Sequence, residues 1–358
     1  MALSEGGPAD RDEWADRFAA QAIACEDLGS PLWGRLLRLL AADVRVGGPT
    51  WAVVAPRADL RFGQAGPLRL VGAAHRLALA GAAPRFADAL PSCGGTAPPD
   101  DEDLRAAWED LVRDHGDELR AGMDREVQTN EVARAAGLGL AQATTGFDSA
   151  RVVELGCSGG LNLRLDRFRI DLGAALLGDH DGAVRLVPAV EGSVPADLRL
   201  PRVTARVGID PHPIDATTED GRLTLLSFVW PDQSERFERL AAALDVARVV
   251  PADLRRTVDT AGELESVLAA DVATVVQHSI VWQYLPTGVR WAVTGVIEAA
   301  GERATDEAPL AWIRFEPDEW DRSRVAVWLR TWPGGADRLV AHADYHGRWL
   351  RVLPTPAA

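Results

Sequence analysis

One stretch of the sequence decides the fold: Arg151-Val-Val-Glu-Leu-Gly-Cys-Ser-Gly-Gly-Leu-Asn162. Its first part, Val152–Leu155, is a short apolar run typical of a buried strand, and Gly160–Arg167 is a leucine-rich run that predicts a helix. A glycine-rich turn between a strand and a helix exposes backbone N–H groups where the helix dipole favours negative charge. An acid that ends such a strand, here Glu154, can bind a ribose. The stretch therefore predicts a strand–turn–helix unit with a ligand at the turn.

The same letters resemble the first motif of S-adenosylmethionine-dependent methyltransferases, written here as Glu154-x-Gly156-x-Ser158-x-Gly160. The resemblance implies that S-adenosylmethionine is the cofactor and that these four residues, with Asn162, bind it. In this interpretation the glycines let the backbone approach the methionine end of the cofactor, and Glu154 shapes that pocket. A tight turn without any ligand is the structural alternative.

Gly156-Cys-Ser158-Gly-Gly160 also resembles the G-x-S-x-G nucleophile elbow of serine hydrolases. Ser158 would then be the nucleophile, with Asp253 and either His278 or His346 completing the order Ser–Asp–His. A hydrolase elbow normally follows several strands, whereas this turn follows the first strand of the α/β region, where a nucleotide-binding turn belongs. Its placement favours the cofactor site.

Composition narrows the class of protein. The chain has 358 residues, of which 47% are hydrophobic, so a large buried core is expected. No apolar run approaches the ~18–20 residues of a transmembrane helix, and the polar, acidic N-terminus does not resemble a signal peptide. Cys25, Cys93 and Cys157 lack metal-type spacing, so a reduced, cytoplasmic protein without a metal site is expected. The net charge of −15 argues against a nucleic-acid partner and leaves a small-molecule substrate as the expectation.

The sequence changes character near residue 150. Residues 8–146 show helical periodicity, whereas short β-branched runs alternate with helical segments after Arg151. This alternation predicts an α/β fold with a doubly wound, mostly parallel sheet. The predicted organisation is a helical N-terminal region (1–122), a sheet domain (123–353) with an inserted hairpin at about 168–200, and a tail (354–358).

The individual elements follow from the same patterns. The predicted strands are Val152–Leu155, Ala205–Asp210, Leu223–Val229, Arg248–Pro251, Val272–His278 and Leu310–Phe315, then an antiparallel set at Arg324–Leu329, Arg338–His342 and Arg348–Leu353. Phe168–Asp171 and Ala183–Val187 are expected to pair as the inserted hairpin. The clearest predicted helices are Pro31–Ala42, Gly66–Leu79, Asp101–Leu119, Asp124–Ala143, Ser234–Ala247 and Val289–Ala299.

Two further acids come after predicted strands. Asp210 ends the second core strand and Asp253 follows the third. In a methyltransferase-like sheet, the first position implies a carboxylate for the ribose hydroxyls and the second an acid beside the adenine. The alternative for each is a helix N-cap or a turn aspartate. Trp230 and Gln233 are candidates to cover the adenine or the substrate. The alternative for this segment is structural, with Asp232 as the cap of the following helix.

The methyl acceptor is expected near the end of the strand Val272–His278. His278 lies at the carboxyl edge, where open α/β sheets bind ligands, and could act as a general base. The alternative is a core histidine with satisfied hydrogen bonds. Asn130, Arg134 and Tyr284 are predicted to face the acceptor. Asn130 and Arg134 are four residues apart and so share one face of a predicted helix. The structural alternative is that the segment is only a helix start, capped by Thr129 or Asn130.

Several segments together resemble the uncharacterised bacterial family called domain of unknown function 2332, found largely in actinobacteria. The segments are Gln128–Glu131, Glu154–Asn162, Gly208–Asp215, Phe228–Gln233, His278-Ser279 and His346–Trp349. The resemblance spans about residues 10–353 and implies a methyltransferase-like Rossmann core behind a helical region. The expected function is S-adenosylmethionine-dependent methyl transfer to a small or medium acceptor. A serine hydrolase and a non-catalytic Rossmann-like binding protein are the alternatives.

Overall fold

The computed structural model describes residues 8–128, 130–268 and 272–354. Within them the chain forms two compact units. The helical unit comprises the residues up to 128 together with 222–238, and the sheet unit comprises 130–221 and 239–354. Thr129 and residues 355–358 of the predicted tail lie outside the described residues. None of the described helices has the length and apolarity needed to cross a membrane.

The α-helices, in chain order, are α1 (Pro8–Asp27), α2 (Pro31–Val46), α3 (Pro49–Val54), α4 (Gly66–Leu79), α5 (Pro84–Ala87), α6 (Asp101–Gly122), α7 (Ala135–Thr144), α8 (Glu219–Ser227), α9 (Ser234–Val249), α10 (Thr260–Val267) and α11 (Thr287–Glu302). Short 3-10 segments occur at Ala55–Arg57, Phe62–Gln64, Pro91–Cys93, Val132–Arg134, Asn162–Arg167 and Trp282–Tyr284. The strands are β1 (Ser149–Leu155), β2 (Arg169–Asp171), β3 (Leu176–Gly178), β4 (Arg185–Leu186), β5 (Ala189–Glu191), β6 (Arg202–Asp210), β7 (Asp253–Arg256), β8 (Thr274–Ser279), β9 (Leu310–Pro317), β10 (Val325–Trp332), β11 (Asp337–Ala343) and β12 (Trp349–Val352).

Helix α2 illustrates how the helical unit is built. Leu36, Leu37 and Leu40 recur at helical spacing and are buried, so one apolar face packs into the core of the unit. Pro31 fits the first turn because N–H groups at that position have no partner within the helix, so the N–H that proline lacks is not needed. The cap is supplied from a remote part of the chain, since Asp232 Oδ2 accepts the backbone N–H of Leu32 at 2.8 Å. Asp232 therefore caps α2, and the expectation that it caps the following helix is wrong.

The sheet unit contains a nine-stranded sheet with the order β5-β12-β11-β10-β9-β8-β1-β6-β7. The five core strands β7, β6, β1, β8 and β9 are parallel to their neighbours, and β9 to β12 are joined by antiparallel pairings. This confirms an α/β protein with a mostly parallel core and C-terminal antiparallel strands, preceded by a helical region. Placing the glycine turn after β1 positions it at the centre of the parallel strands.

Two predicted strands are helical instead. Leu223–Val229 falls largely in α8, and Arg248–Pro251 begins inside α9, which continues to Val249. Short apolar runs fit a buried helix as well as a strand, and the burial of Leu240, Leu244 and Ala247 continues the helical period. The third core strand therefore starts at Asp253 instead of ending before it.

Three further segments differ from expectation. The predicted hairpin strands Phe168–Asp171 and Ala183–Val187 correspond to β2 and β4, which pair in parallel, while β3 is the antiparallel partner of β2. The predicted helix Gly160–Arg167 is only a 3-10 segment with non-helical dihedrals at Arg164. In Asp124–Ala143, the α-helix begins only at Ala135.

Candidate functional site

The carboxyl edge of β1 is a topological switch point. The chain passes from β1 to β6 on one side and later returns to β8 on the other, and both strands are parallel to β1. Open α/β sheets bind ligands in the crevice that this reversal leaves. Glu154, Asp210 and His278 are each the last or next-to-last residue of one of these strands. The structure thus brings these three predicted residues to one edge of the sheet.

The glycine turn after β1 has three left-handed residues: Gly156 (φ 65°), Ser158 (φ 48°) and Gly160 (φ 64°). A Cβ on Gly156 would lie 2.5 Å from Val281 Cγ2, and one on Gly160 would lie 2.8 Å from Leu254 Cδ2. Both glycines are therefore required by backbone conformation and by close packing. Ser158 adopts a conformation that costs a non-glycine residue about 1–2 kcal/mol.

Four N–H groups of this turn are bonded to protein acceptors. Those of residues 156, 158, 159 and 160 donate to the carbonyl oxygens of Ile209 and Cys157 and to the side chains of Asp210 and Asn130. The segment that follows is a 3-10 turn, without the dipole of a long helix. These four positions therefore do not supply the free N–H groups expected at a helix N-terminus, which leaves fewer donors for a phosphate group.

Glu154 is a buried carboxyl group at the base of the turn, only 3% exposed. Desolvation raises its pKa to about 8, helped by the charge of Asp210 and opposed by Arg164 and Arg134. At neutral pH the group is therefore mainly protonated. Its Oε2 atom has no hydrogen-bond partner among the described residues. An unsatisfied buried oxygen requires an explanation, and its place at the edge where open α/β sheets bind ligands makes it a candidate ligand contact.

Asp210 is held at the mouth of the turn by two backbone N–H groups. Oδ2 accepts from Ser158 at 2.8 Å, and Oδ1 accepts from His212 at 2.7 Å. An ionised carboxylate has about four acceptor positions, so roughly two remain after these bonds. The carboxylate is half-buried, fixed in orientation and still able to accept hydrogen bonds from a ligand.

Hydrogen bonds join Asn130 and Arg134 to the same edge. Asn130 Nδ2 donates to Ser158 Oγ at 2.9 Å, and Arg134 donates to the carbonyl oxygens of Tyr345 (3.0 Å) and Ser279 (3.3 Å). Their arrangement does not come from a shared helical face, because only 132–134 form a 3-10 turn there. Asn162 lies just beyond the turn, and its Oδ1 is buried without a partner among the described residues.

The four other candidates differ in their surroundings. Asp253 is the first residue of β7, in register with Val207, three residues before Asp210, and it is exposed. Trp230 packs against the core of the helical unit, and Gln233 Nε2 donates to the Leu28 carbonyl oxygen at 3.1 Å in that unit. Tyr284 is 75% exposed on the 3-10 turn after β8.

His278 is fully buried, and its Nδ1 lies 2.6 Å from Glu316 Oε1. Its ring stacks on Trp282 with centroids 4.8 Å apart, while Nε2 has no partner among the described residues. The neighbouring residues Leu155 and Val276 belong to the apolar cluster packed by α10 and α11. Because side chains alternate along strands, His278 lies on that face and Glu154 on the opposite one. A histidine oriented by a carboxylate can act as a general base.

A family model described as "Uncharacterized protein conserved in bacteria (DUF2332)" matches residues 15–351. The chain belongs to this family. Searches of curated proteins and of solved structures gave no match to the chain. The DUF2332 match covers segments of both units, so the helical unit is part of the family's architecture.

Sequence reasoning missed two acids of this DUF2332 chain, one buried and one partly buried. Glu131 is 2% exposed and contacts His346 Nδ1 at 3.2 Å and Arg239 at 3.5 Å. Glu316 lies near the end of β9 and also accepts the backbone N–H groups of residues 281 and 282. An available signal for Glu316 was its position: like Glu154 and Asp210, it is an acid near the end of a core strand.

Proposed function

We propose that this DUF2332 protein binds S-adenosylmethionine at the carboxyl edge of β1 and β6 and transfers its methyl group to a small or medium acceptor. The observation that carries the proposal is the Asp210 carboxylate, which the glycine turn holds at the switch point by the Ser158 N–H. Ligands of parallel α/β sheets bind at this position, and a carboxylate there suits the paired hydroxyls of a ribose.

The hydrogen-bonding inventory of the turn favours this cofactor over a phosphate-bearing nucleotide. Four N–H donors of the turn, the kind of group that phosphates need, are bonded to protein acceptors. Acceptor capacity remains at Asp210, and at Glu154 Oε2 once the Glu154 carboxyl group is ionised. S-adenosylmethionine has no phosphate, and its ribose hydroxyls and ammonium group are donors. The donor–acceptor match therefore supports a nucleoside with a positively charged side chain.

The cofactor, when bound, supplies an activated methyl group on a sulfonium. Asp210 would hold the ribose, and Glu154 would ionise to bind the ammonium group. Gly156 and Gly160 keep the turn closed against Val281 and Leu254 so that this geometry is fixed. His278, oriented by Glu316, would accept the proton that the acceptor loses. Most of the rate would come from positioning the two reactants.

Isothermal titration calorimetry of the full chain with S-adenosylmethionine, S-adenosylhomocysteine and ATP tests the proposal. We expect both adenosyl ligands to bind and ATP to bind weakly or not at all. Asp210→Asn should weaken binding by about tenfold or more, since a hydrogen bond to a charged group contributes about 1.5–3 kcal/mol. Asp253→Asn is the matched control and should bind like wild type. Absence of binding at millimolar ligand, in protein shown to be folded, would reject the proposal.

A serine hydrolase is the second candidate because Ser158 has the left-handed conformation of a strained strand-to-helix turn. The partners are less favourable, since Asp253 begins β7 and His278 is bonded to Glu316. Labelling of Ser158 by a fluorophosphonate probe would support this candidate. Cofactor binding without transfer to any acceptor would instead support the non-catalytic binding protein.

A further inference from the structure

A second cleft lies on the face of the sheet that carries His278. Its volume is about 540 Å³, and it is lined by residues of β8 to β11, α11 and the loop after β9. Sites for small organic molecules typically measure about 300–1,000 Å³. All of its lining residues belong to the sheet unit. We call it the tryptophan cleft, because Trp282, Trp312, Trp320 and Trp328 contribute to its walls.

The tryptophans of the cleft differ in exposure: Trp312 is 3% exposed and has the Arg314 guanidinium 4.6 Å from its ring centroid, whereas Trp320 is exposed. The rings of Trp282 and Trp312 are 5.7 Å apart, and Trp282 also stacks on His278. Trp320 is 81% exposed, which forgoes the stabilisation that a buried tryptophan would contribute. An exposed indole at the rim of an aromatic cleft can stack on a planar ligand.

The charged residues of the cleft include two arginines without an ion-pair partner. Arg314 pairs with Asp337 and Arg330 pairs with Glu298, so these four side chains neutralise one another. Arg290 and Arg322 form no ion pair with any described residue, and Arg290 donates a hydrogen bond to Thr287 Oγ1 at 3.1 Å. Of the remaining acids, Glu316 bonds to His278, and Glu319 is exposed without an ion pair to a described residue. The cleft thus has equal numbers of arginines and acids, in a chain whose net charge is −15.

The walls also contain a cluster of unsatisfied buried polar atoms. Five lack a partner among the described residues: Nε of Arg290 and of Arg314, Nε1 of Trp312, Nε2 of His278 and Oε2 of Glu316. Most buried polar atoms in native proteins have partners, so five in one cleft require an explanation. Three of them are N–H donors, which indicates that an acceptor-rich group belongs there.

We propose that the tryptophan cleft binds a small planar aromatic carboxylic acid. The ring would stack on the exposed indole of Trp320, and the carboxylate would bind the guanidinium groups of Arg290 and Arg322, which have no ion-pair partner among the described residues. This binding site does not depend on the proposed cofactor.

Indole-3-carboxylate and benzoate are the probes, titrated into the full chain and followed by saturation-transfer difference NMR and calorimetry. We expect the indole acid to bind with one-to-one stoichiometry. Indole-3-carboxamide, which keeps the ring and removes the charge, should bind about tenfold more weakly, as should cyclohexanecarboxylate, which keeps only the charge.

Two residues of the cleft offer matched variant pairs. Trp320→Ala should weaken binding about threefold to tenfold and Arg290→Gln about tenfold, since stacking and charge-assisted bonds are of these sizes. Trp291→Ala removes a tryptophan that is 78% exposed on α11 but does not line the cleft, and Arg303→Gln lies just beyond the end of the same helix. Both controls should bind like wild type.

Absence of binding by both acids at millimolar concentration would overturn the proposal, provided that a cooperative thermal unfolding transition shows the protein to be folded. So would equal binding of the carboxamide, or equal losses in Trp320→Ala and Trp291→Ala. Binding of the aromatic acid in protein that fails to bind S-adenosylmethionine would reject the proposed function while supporting the cleft.

Discussion

His75 in the helical unit and Glu154 in the sheet unit are both buried ionisable side chains that desolvation favours in their neutral forms. They differ in what surrounds them. Both nitrogens of His75 have partners: Nδ1 lies 3.1 Å from the Ser227 carbonyl oxygen, and Nε2 lies 2.7 Å from Ser92 Oγ. Glu154 keeps one oxygen without a partner among the described residues. Burial alone therefore does not single out a candidate functional group, and the unsatisfied oxygen is the feature by which Glu154 differs from His75.

The two groups should give the units opposite responses to pH. Burial lowers the pKa of His75 from 6.5 to about 4. Between these values the unfolded chain binds a proton that the folded chain does not, so its stability contribution is present above pH 6.5 and is lost as pH falls. Burial raises the pKa of Glu154 from 4.5 to about 8. Its contribution is present below pH 4.5 and is lost as pH rises through 8.

The largest expected effect comes from Glu154→Gln, which keeps the shape and cannot ionise. Relative to this variant, wild type should lose on the order of 3–5 kcal/mol of unfolding free energy between about pH 4.5 and pH 9, because ionising the buried carboxyl group is unfavourable. Urea denaturation across this range, followed by tryptophan fluorescence, measures the difference. Parallel pH profiles for the two proteins would show that Glu154 is not neutral in the folded state.

The second prediction applies one substitution to both buried histidines. His75→Phe should cost about 2–3 kcal/mol, because it removes two hydrogen bonds and leaves Ser92 and the Ser227 carbonyl group without them. His278→Phe should cost less than about 1 kcal/mol, since it also removes an unsatisfied nitrogen and Glu316 keeps two backbone donors.

Denaturation of both variants at neutral pH provides the measurement, and the acid sensitivity of His75→Phe provides a control. That variant should lose less stability than wild type between about pH 6.5 and pH 4, because the depressed pKa is gone. Equal costs for the two substitutions would remove the distinction between a satisfied and an unsatisfied histidine.

The sequence predicted the parts of the fold that depend on local pattern. The strands β1, β6, β8 and β9 were found because each is a β-branched or apolar run bounded by turns. The same rule failed at Leu223–Val229 and Arg248–Pro251, where helical packing decides the outcome. The second failure displaced Asp253 from the end of a strand to its beginning, which removed the reason for placing it beside the adenine.

The candidate site could be predicted only in part for a related reason. Glu154, Asp210 and His278 were found because strand ends converge at one edge of a parallel sheet. The contact of Glu131 with His346 joins residues 215 positions apart, and no local pattern encodes such a pairing. Likewise, the opposite orientations of Glu154 and His278 depend on the register of β1 with β8.

Substitutions of Ser158 are expected to change the free energy of unfolding least. They separate what this residue contributes to stability from what it contributes to function. Its left-handed backbone costs a non-glycine residue about 1–2 kcal/mol, while its Oγ gains a hydrogen bond from Asn130 contributing about 1 kcal/mol. Ser158→Gly should therefore stay within about 0.5 kcal/mol of wild type, and Ser158→Ala, which keeps the strain and loses the bond, should be about 1 kcal/mol less stable. Denaturation curves compare the three proteins.

S-adenosylmethionine binding should survive Ser158→Gly, because Asp210 is held by the backbone N–H and not by the hydroxyl group. If Ser158→Gly instead lost labelling by a fluorophosphonate probe while it kept cofactor binding, Ser158 would be a nucleophile. The strained backbone of the turn would then serve to position its hydroxyl group.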